Sequence, residues 1–340
     1  MSLPEALPIV ETGGEPARPR AGVIGLGVSL PDVVVGNEHV GAGIGVDGAW
    51  IERRTGIRHR RHAPADLSLT ELAVASASAA LLDAGVSGAE LDLVLLATVS
   101  QATPMPNLAP QVASAVGAAG AGAFDLGAAC SGFVAGLSVA ASFVEAGRAS
   151  LVLLVAADTL SRQVDPHDKR TAALFGDGAG AVVLRGGDDG GISAIVLGSD
   201  GSAAQLIAND PHSGFIQMDG HATFLAAVTR MEEATLAALD RDELELDDVD
   251  LFVFHQANAR ITKSLTERLG LPSEKVVDCI AELGNTSAAS IPLALEYARL
   301  DGRLTEGSRV LVCAVGSGLI WGAALLRWGR TLIVDGGLAA

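Results

Sequence analysis

Glu90-Leu-Asp-Leu-Val-Leu-Leu-Ala97 and Asp248-Val-Asp-Leu-Phe-Val-Phe-His255 are two renderings of one sentence, and around each the chain repeats the same script. Both are continuous apolar runs behind an acidic start, the pattern of a strand covered on both faces. A helix ending in Val-Gly or Leu-Gly follows each, closing at Gly117 and Gly270. Phe124-Asp125 and Val277-Asp278 then lead through small residues to Cys130-Ser-Gly and Asn285-Thr-Ser, and each opens a helix that stops at Gly147-Arg148 or Gly302-Arg303. Cys130 to Asn285 and Gly147 to Gly302 are both 155 positions. The strands Leu151 to Ala157 and Val310 to Val315 come next, then Gly-rich turns into a last strand at Phe175-Gly-Asp-Gly and Val315-Gly-Ser-Gly. An internal repeat of this kind organises the whole fold.

Alternating strands and helices predict mainly parallel sheets with helices on both faces. Two such halves pack as layers about a pseudo-twofold, with the helix starts at Cys130 and Asn285 facing one another and His255 closing a strand beside them. Sites in such sheets lie at strand ends near the join. The expected organisation is a flexible tail over 1–20, one half over 21–187, a second over 188–328 and a tail over 329–340. Two unrelated α/β domains sharing a common pattern are the alternative, against which the matched offsets argue.

Composition narrows the function. The 340 residues make about two domains of ordinary size. With 23 Lys and Arg against 40 Asp and Glu, net charge −17, neither nucleic acid nor an acidic membrane surface is an expected partner. Three cysteines without a Cys-x-x-Cys pair predict free thiols in a reducing, cytoplasmic compartment, with neither a disulfide framework nor a thiolate zinc site. Pro4, Pro8, Pro16 and Pro19 with Glu5, Glu11 and Glu15 do not make a signal peptide. The uncharged span Leu126 to Val144 is rich in Gly, Ala and Ser, which suits a helix buried in protein better than one in lipid.

Three residues converge on the seam. Cys130 at a helix N-terminus is expected as a thiolate, since the dipole lowers thiol pKa; the bland alternative is an inert buried cysteine. Cys279 and Cys313 read as core. His255, closing a buried strand, donates from Nε2 into a cleft or serves as a core histidine. Asn285 is a ligand-facing amide or a plain helix cap. Gly22-Val-Ile-Gly-Leu-Gly27 lacks dinucleotide spacing, and Pro31 stands where the phosphate-binding helix would begin. His59 and His62 have no third ligand nearby, so no metal and no cofactor are expected. Arg53, Arg54, Arg58, Arg60 and Arg61, with His59 and His62, form a basic cluster suited to the phosphates of coenzyme A or to an acidic carrier protein. A solvated face is its alternative. Thr98 to Phe124 carries Pro104, Pro106 and Pro110 and reaches its first charge only at Asp125, which predicts burial against a second subunit.

Residues 21 to about 328 resemble the β-ketoacyl-acyl-carrier-protein synthase III family of the thiolase superfamily. The resemblance rests on Trp50-Ile-Glu-Arg-Arg-Thr-Gly-Ile-Arg58, Asp125-Leu-Gly-Ala-Ala-Cys-Ser-Gly-Phe133, Phe175-Gly-Asp-Gly-Ala-Gly180, Met218-Asp-Gly220, His255-Gln-Ala-Asn258 and Gly284-Asn-Thr-Ser-Ala-Ala289. It implies the duplicated α/β thiolase fold, layered αβαβα, in a homodimer, with Cys130, His255 and Asn285 as the catalytic set. It also implies backbone N–H groups of Cys130 and Ser317 as an oxyanion hole. Trp50, Arg54, Lys169 and Arg260 are implied to bind coenzyme A or the carrier, and Met105 to shape the partner's acyl pocket. The implied reaction loads an acyl group from acyl-CoA onto Cys130 and condenses it with malonyl-acyl carrier protein, releasing carbon dioxide, as a starter-unit step of a fatty acid or polyketide pathway.

The chemistry agrees: a thiolate exchanging one thioester for another keeps the acyl group activated, and two fixed donors stabilise an enolate. Departures from the family point to an alternative, acyl transfer to an oxygen or nitrogen acceptor without decarboxylation. Val315 stands where a Phe is usual. Leu225, Glu267 and His221 occupy positions often basic or amide-bearing, while Arg260, Lys263 and Arg268 remain. Lys169 replaces an Arg, the loop between Asp200 and Met218 is short, and Thr331 to Ala340 extend past the usual end. A third reading is a non-catalytic partner of a synthase complex.

Overall fold

The computed structural model describes residues 20–187 and 191–329. The expected tails lie outside the described residues, apart from Arg20 and Gly329 at their edges. The first half runs β1 (Arg20–Ser29), β2 (Val34–Gly36), α1 (Asn37–Ile44), α2 (Gly48–Thr55), β3 (His59–Arg61), α3 (Leu69–Ala84), β4 (Leu93–Ala97), α4 (Ala109–Ala115), β5 (Gly122–Leu126), α5 (Gly132–Glu145), β6 (Leu151–Asp158) and β7 (Gly178–Gly187). The second runs β8 (Gly191–Ser199), β9 (Ile207–Asn209), β10 (Ile216–Met218), α6 (Gly220–Arg241), β11 (Leu251–Phe254), α7 (Ala259–Leu269), α8 (Ile280–Leu283), α9 (Ser290–Leu300), β12 (Arg309–Gly316) and β13 (Ile320–Arg327).

Two sheets carry the repeat, in the orders β1-β7-β6-β4-β5 and β11-β12-β13-β8. An isolated parallel bridge from Phe252 to Val276 stands in the second half where β5 stands in the first. The strands were expected to be mainly parallel, and each sheet is instead mixed. β5, β4 and β6 are parallel, as are β11 and β12, whereas β7, β1, β13 and β8 are joined antiparallel. The cause is the connection: residues 159–177 hold no crossover helix between β6 and β7, and β12 turns directly into β13, so the chain returns antiparallel.

Strand side chains alternate between two cores. Leu93, Leu95, Val152, Leu154, Leu251, Val253, Val310 and Val312 point into a central core with Phe133, Val134 and Leu137 of α5 and Ile291, Ala294 and Leu295 of α9. Val94, Leu96, Leu153 and Val155 face α3 and α4, while Phe252, Phe254, Leu311 and Cys313 face α6 and α7. The layers are therefore helices, sheet, the helix pair α5 and α9, sheet, helices. The span Leu126 to Val144 is mostly this central α5, wrapped in protein as expected, and among the described residues no helix is long and apolar enough to cross a membrane.

The glycines of β1 have a packing role. A Cβ at Gly27 would lie 2.2 Å from the Ala80 nitrogen, so α3 can lie on the strand only over a bare backbone. We expect Gly27→Ala to lower the denaturation midpoint by an amount equivalent to about 1–3 kcal/mol, the usual cost of overpacking. Gly220→Ala, at a position with nothing within 4 Å, should leave it unchanged; equal midpoints for the two variants would refute this packing account.

Candidate active site

Superposed by element order, the halves keep a register of 158 positions: Leu93 with Leu251, Gly132 with Ser290, Leu151 with Arg309. The turn before α5 thus corresponds to the turn before α9, and Cys130 to Ala288, which corrects the expected match of Cys130 with Asn285. Asn285 begins no helix; it lies in the loop before the turn Ser287–Ala289. The two turns share a rare backbone, with Ala129 at φ 45° and Ser287 at φ 54°, a region that side-chain-bearing residues seldom adopt. They meet at the join, where the Ser287 hydroxyl stands 3.6 Å from Cys130 Sγ.

A cavity of about 1200 Å³ opens over this join. Cys130, His255, Asn285, Ser287, Gly316 and Ser317 line it, bringing together the three residues singled out from sequence. His255 follows β11, its N–H bonded to the Cys313 carbonyl, and the residue is 1% exposed. Nδ1 lies 2.6 Å from the Ser290 hydroxyl, which also accepts the Gln256 N–H at 3.3 Å. With Nδ1 taken by this hydroxyl, Nε2 is the ring nitrogen left for the cavity, and in the tautomer in which the hydroxyl donates to Nδ1 it is Nε2 that carries the proton. Burial holds the His255 pKa down to about 4, so the imidazole is neutral.

Asn285 is pinned through its backbone, N–H to the Leu174 carbonyl and C=O from the Gly176 N–H, both at 2.9 Å. Its Oδ1 accepts the Ser287 N–H at 2.9 Å, leaving Nδ2 as the donor for the cavity. At Gly316 a Cβ would come 2.7 Å from the Cys130 nitrogen, so only glycine leaves that N–H approachable.

The expectation of a standing thiolate is corrected. Cys130 does sit in the turn Ala129–Ser131 that enters α5, yet burial pushes its thiol up to about 12. The Ser287 hydroxyl opposes that shift and the Asp158 carboxylate adds to it. Desolvation outweighs the helix terminus here. Cys279 and Cys313 are buried core thiols, also pushed up to about 12.

At the mouth, Asp47 caps α2 through the Trp50 N–H at 2.6 Å, and Arg54, one turn on, stacks on the Trp50 ring at 4.7 Å. Lys169, Arg170 and Arg260 complete a cationic rim, and His221 lines the cavity with them. The rest of the expected basic cluster is not there. Strand β3 sends Arg60 inward, fully buried on Asn37 and the Ala173 carbonyl, while Arg61 binds the carbonyls of Pro31 and Asp32. Arg58 and His59 both engage Glu282. Met105 is 80% exposed and outside the cavity of its own chain. Among the described residues no cluster of three His, Cys, Asp or Glu stands ready for a metal ion. Sequence reasoning missed Asp158, Ser287, Ser290, Gly316 and Arg170. Ser287 and Gly316 lie inside motifs named above and Ser290 just past the end of one, but only the backbone at Ser287 and the ring contact of Ser290 reveal their orientation.

Layers and site define a condensing enzyme of the thiolase superfamily. The model of 3-oxoacyl-[acyl-carrier-protein] synthase III matches residues 124–201, and that of its C-terminal region matches 239–328. A β-ketoacyl-[acyl-carrier-protein] synthase III of Streptomyces coelicolor is 46% identical over 314 residues, covering 91% of this chain and 94% of its own. One from Pseudomonas aeruginosa is 45% identical over 324 residues, 91% and 97%. Among solved structures, 3-oxoacyl-[acyl-carrier-protein] synthase III from Aquifex aeolicus superposes with TM-score 0.88 at 42% identity, covering 91% of this chain and all of that one. The priming β-ketosynthase of the R1128 polyketide pathway gives 0.88 at 38%, covering 94% and 99%. The chain belongs to the β-ketoacyl-acyl-carrier-protein synthase III family.

A histidine with a folded pKa of about 4 against an ordinary 6.5 binds its proton later than in the unfolded chain. Its contribution to stability is whole above about pH 6.5 and is lost as pH falls toward about 4. The His255 ring resonances should therefore keep neutral positions from about pH 8 to about pH 5 in NMR titration, while the melting temperature declines across the lower part of that range. A midpoint near 6.5 for His255 would contradict the buried, neutral assignment.

Proposed function

We propose that the protein takes an acyl group from acyl-CoA onto Cys130 and condenses it with malonyl-acyl carrier protein, giving 3-oxoacyl-acyl carrier protein, coenzyme A and carbon dioxide. The observation that carries this reading is the convergence of one thiol and two uncharged donors, His255 Nε2–H and Asn285 Nδ2–H, on one cavity floor. Loss of carboxylate from a malonyl thioester leaves charge on its carbonyl oxygen, and two preorganised donors stabilise that enolate without a metal. A neutral imidazole is the right form, since it donates without protonating the carbanion. The enolate carbon attacks the acyl-Cys130 carbonyl, whose oxygen gains the N–H groups of Cys130 and Ser317, the first left open by Gly316. Relatives bearing the names of condensing enzymes favour this reading over transfer to an oxygen or nitrogen acceptor.

The rim of Trp50, Arg54, Lys169 and Arg260 supports binding of the anionic coenzyme A and carrier arms in a chain of net −17. The likeness to a priming ketosynthase supports a starter-unit role in a fatty acid or polyketide pathway. The free thiols suit the cytoplasm. Exposure of residues 102–107, including Met105, supports a homodimer in which Met105 reaches the partner's acyl pocket.

Cys130→Ala should abolish loading, whereas Asn285→Ala should load normally yet lose about 10²–10³-fold in condensation. Acyl-enzyme mass and carbon dioxide released from carboxyl-labelled malonyl carrier protein separate the two steps. Native-rate condensation by Asn285→Ala would sink the mechanism. Met105→Phe should shift loading toward shorter acyl chains across a panel of acyl-CoA esters; an unchanged preference would remove Met105 from the pocket.

A further inference from the structure

Ser287 has no part in the chemistry above, yet the fold sets its hydroxyl against the reacting sulfur. The residue is fully buried, and Oγ donates to Cys130 Sγ at 3.6 Å. Its backbone is fixed by hydrogen bonds: the Ser287 N–H goes to Asn285 Oδ1 at 2.9 Å, the Ala288 N–H to Asp158 Oδ2 at 3.4 Å, and the Ala289 N–H to the Thr286 carbonyl at 3.2 Å. Asp158, the last residue of β6, is anchored in turn, its Oδ1 accepting the Thr98 and Ser100 hydroxyls and the Val99 N–H. The duplication shows that the turn itself asks for no hydroxyl. In the register of 158 the counterpart of Ser287 is Ala129, at nearly the same φ, 45° against 54°. Cys130 stands in the half that carries Ala129 and the hydroxyl stands in the other, so sulfur and hydroxyl meet across the join. The ionisable groups bearing on the thiol are Asp158, which disfavours its anion, and His255, which lines the same cavity and is neutral. Arg54, Lys169, Arg170 and Arg260 stand at the mouth. The side chain that favours an anion on Sγ is Ser287.

We propose that Ser287 is a catalytic residue, whose hydroxyl bond to Cys130 Sγ strengthens when the sulfur takes up negative charge. A hydrogen bond to an ion is roughly twice as strong as one to a neutral atom. The contact therefore adds little to the resting thiol and most to the thiolate, which is what acceleration requires. In loading, the Sγ–acyl bond forms, the thioester bond of acyl-CoA breaks, and the Cys130 proton ends on the coenzyme A sulfur. In condensation, the enolate carbon takes the acyl group and Sγ leaves with its electron pair, to be reprotonated from water. Ser287 keeps its own proton throughout. Between the two steps Sγ is a thioester sulfur, a poor acceptor, so the hydroxyl does not hold the acyl-enzyme back. These steps rest on the condensing reading above, but the bond to the thiolate needs only an electrophile at Cys130.

The test is therefore the rate at which iodoacetamide alkylates Cys130 in the full-length protein at about pH 8, followed by peptide mass, which resolves Cys130 from Cys279 and Cys313. A hydrogen bond to a charged group changes the thiolate fraction about ten- to a hundredfold. The greater nucleophilicity of a higher-pKa thiolate restores about half of that on a logarithmic scale, so Ser287→Gly and Ser287→Ala should each slow alkylation about three- to tenfold. The two differ in backbone preference, since glycine adopts the turn freely and alanine bears the strain that serine does; if Ser287→Ala fails to fold, Ser287→Gly decides. A loosened or emptier pocket would admit water and reagent and speed the reaction, so the direction of the change separates a lost donor from a lost contact. Alkylation at the native rate or faster in a folded variant would overturn the proposal. If alkylation slows as expected but no acyl-CoA loads Cys130 of the native protein, the condensing reading fails and Ser287 stands as the donor to the thiolate.

Discussion

Two turns with nearly the same unfavourable backbone, one at Ala129 and one at Ser287, press against each other where the halves of the molecule join. Each is held by the central helix it enters, and α5 and α9 lie between the two sheets, buried along most of their length. The strain at a non-glycine residue in this region costs on the order of 1–3 kcal/mol and persists only where surrounding packing over-determines it. Here that packing is the shared core of both halves. Sulfur, hydroxyl, amide and imidazole come within reach of one another because neither turn can relax without displacing a central helix. Catalytic geometry and the interior of the fold are, at this point, the same set of contacts.

Burial governs the protonation states that follow. The same desolvation that raises the Cys130 thiol lowers the His255 imidazole, so both groups rest uncharged. Two neutral donors can then face a developing enolate without a competing proton source, and a neutral thiol is safe from adventitious oxidation between turnovers. The difficulty is moved to the moment of attack, when a thiolate must appear in a place that disfavours anions.

Much of the fold was legible because the repeat writes each buried strand twice, and Leu93 to Ala97 or Leu251 to Phe254 cannot alternate when both faces are covered. Strand direction was not legible. The apolar runs of β7 and β13 look like any others, and only the lack of a helix before them reverses the chain. Cys130, His255 and Asn285 stood out by residue type and position. Their protonation did not, since a helix terminus is visible in sequence and the density of surrounding apolar groups is not. The arginines of residues 53–61 show the same limit: alternation along β3 and the acidic Glu282, 221 positions after Arg61, disperse a cluster that looks continuous in the chain.

That dispersal sharpens the electrostatics of the mouth. A chain of net −17 repels anions over most of its surface. Arg58 is paired with Glu282, which also bonds His59, Arg60 is interior, and Arg61 is spent on backbone carbonyls. Among the described residues that line the cavity, Arg54, Lys169, Arg170 and Arg260 carry positive charge and none is an acid, while Asp168, outside the lining, binds Arg170. An anionic thioester arriving from any direction meets attraction at the opening that leads to Cys130. Trp50 and Arg54 offer a flat, stacked surface there, whereas the interior beyond is apolar and uncharged. On the function proposed above, attraction of the phosphate-bearing arm and acceptance of the acyl end would fall at different depths of one cavity. The neutral floor keeps the binding charge from competing with the charge that develops in the reaction.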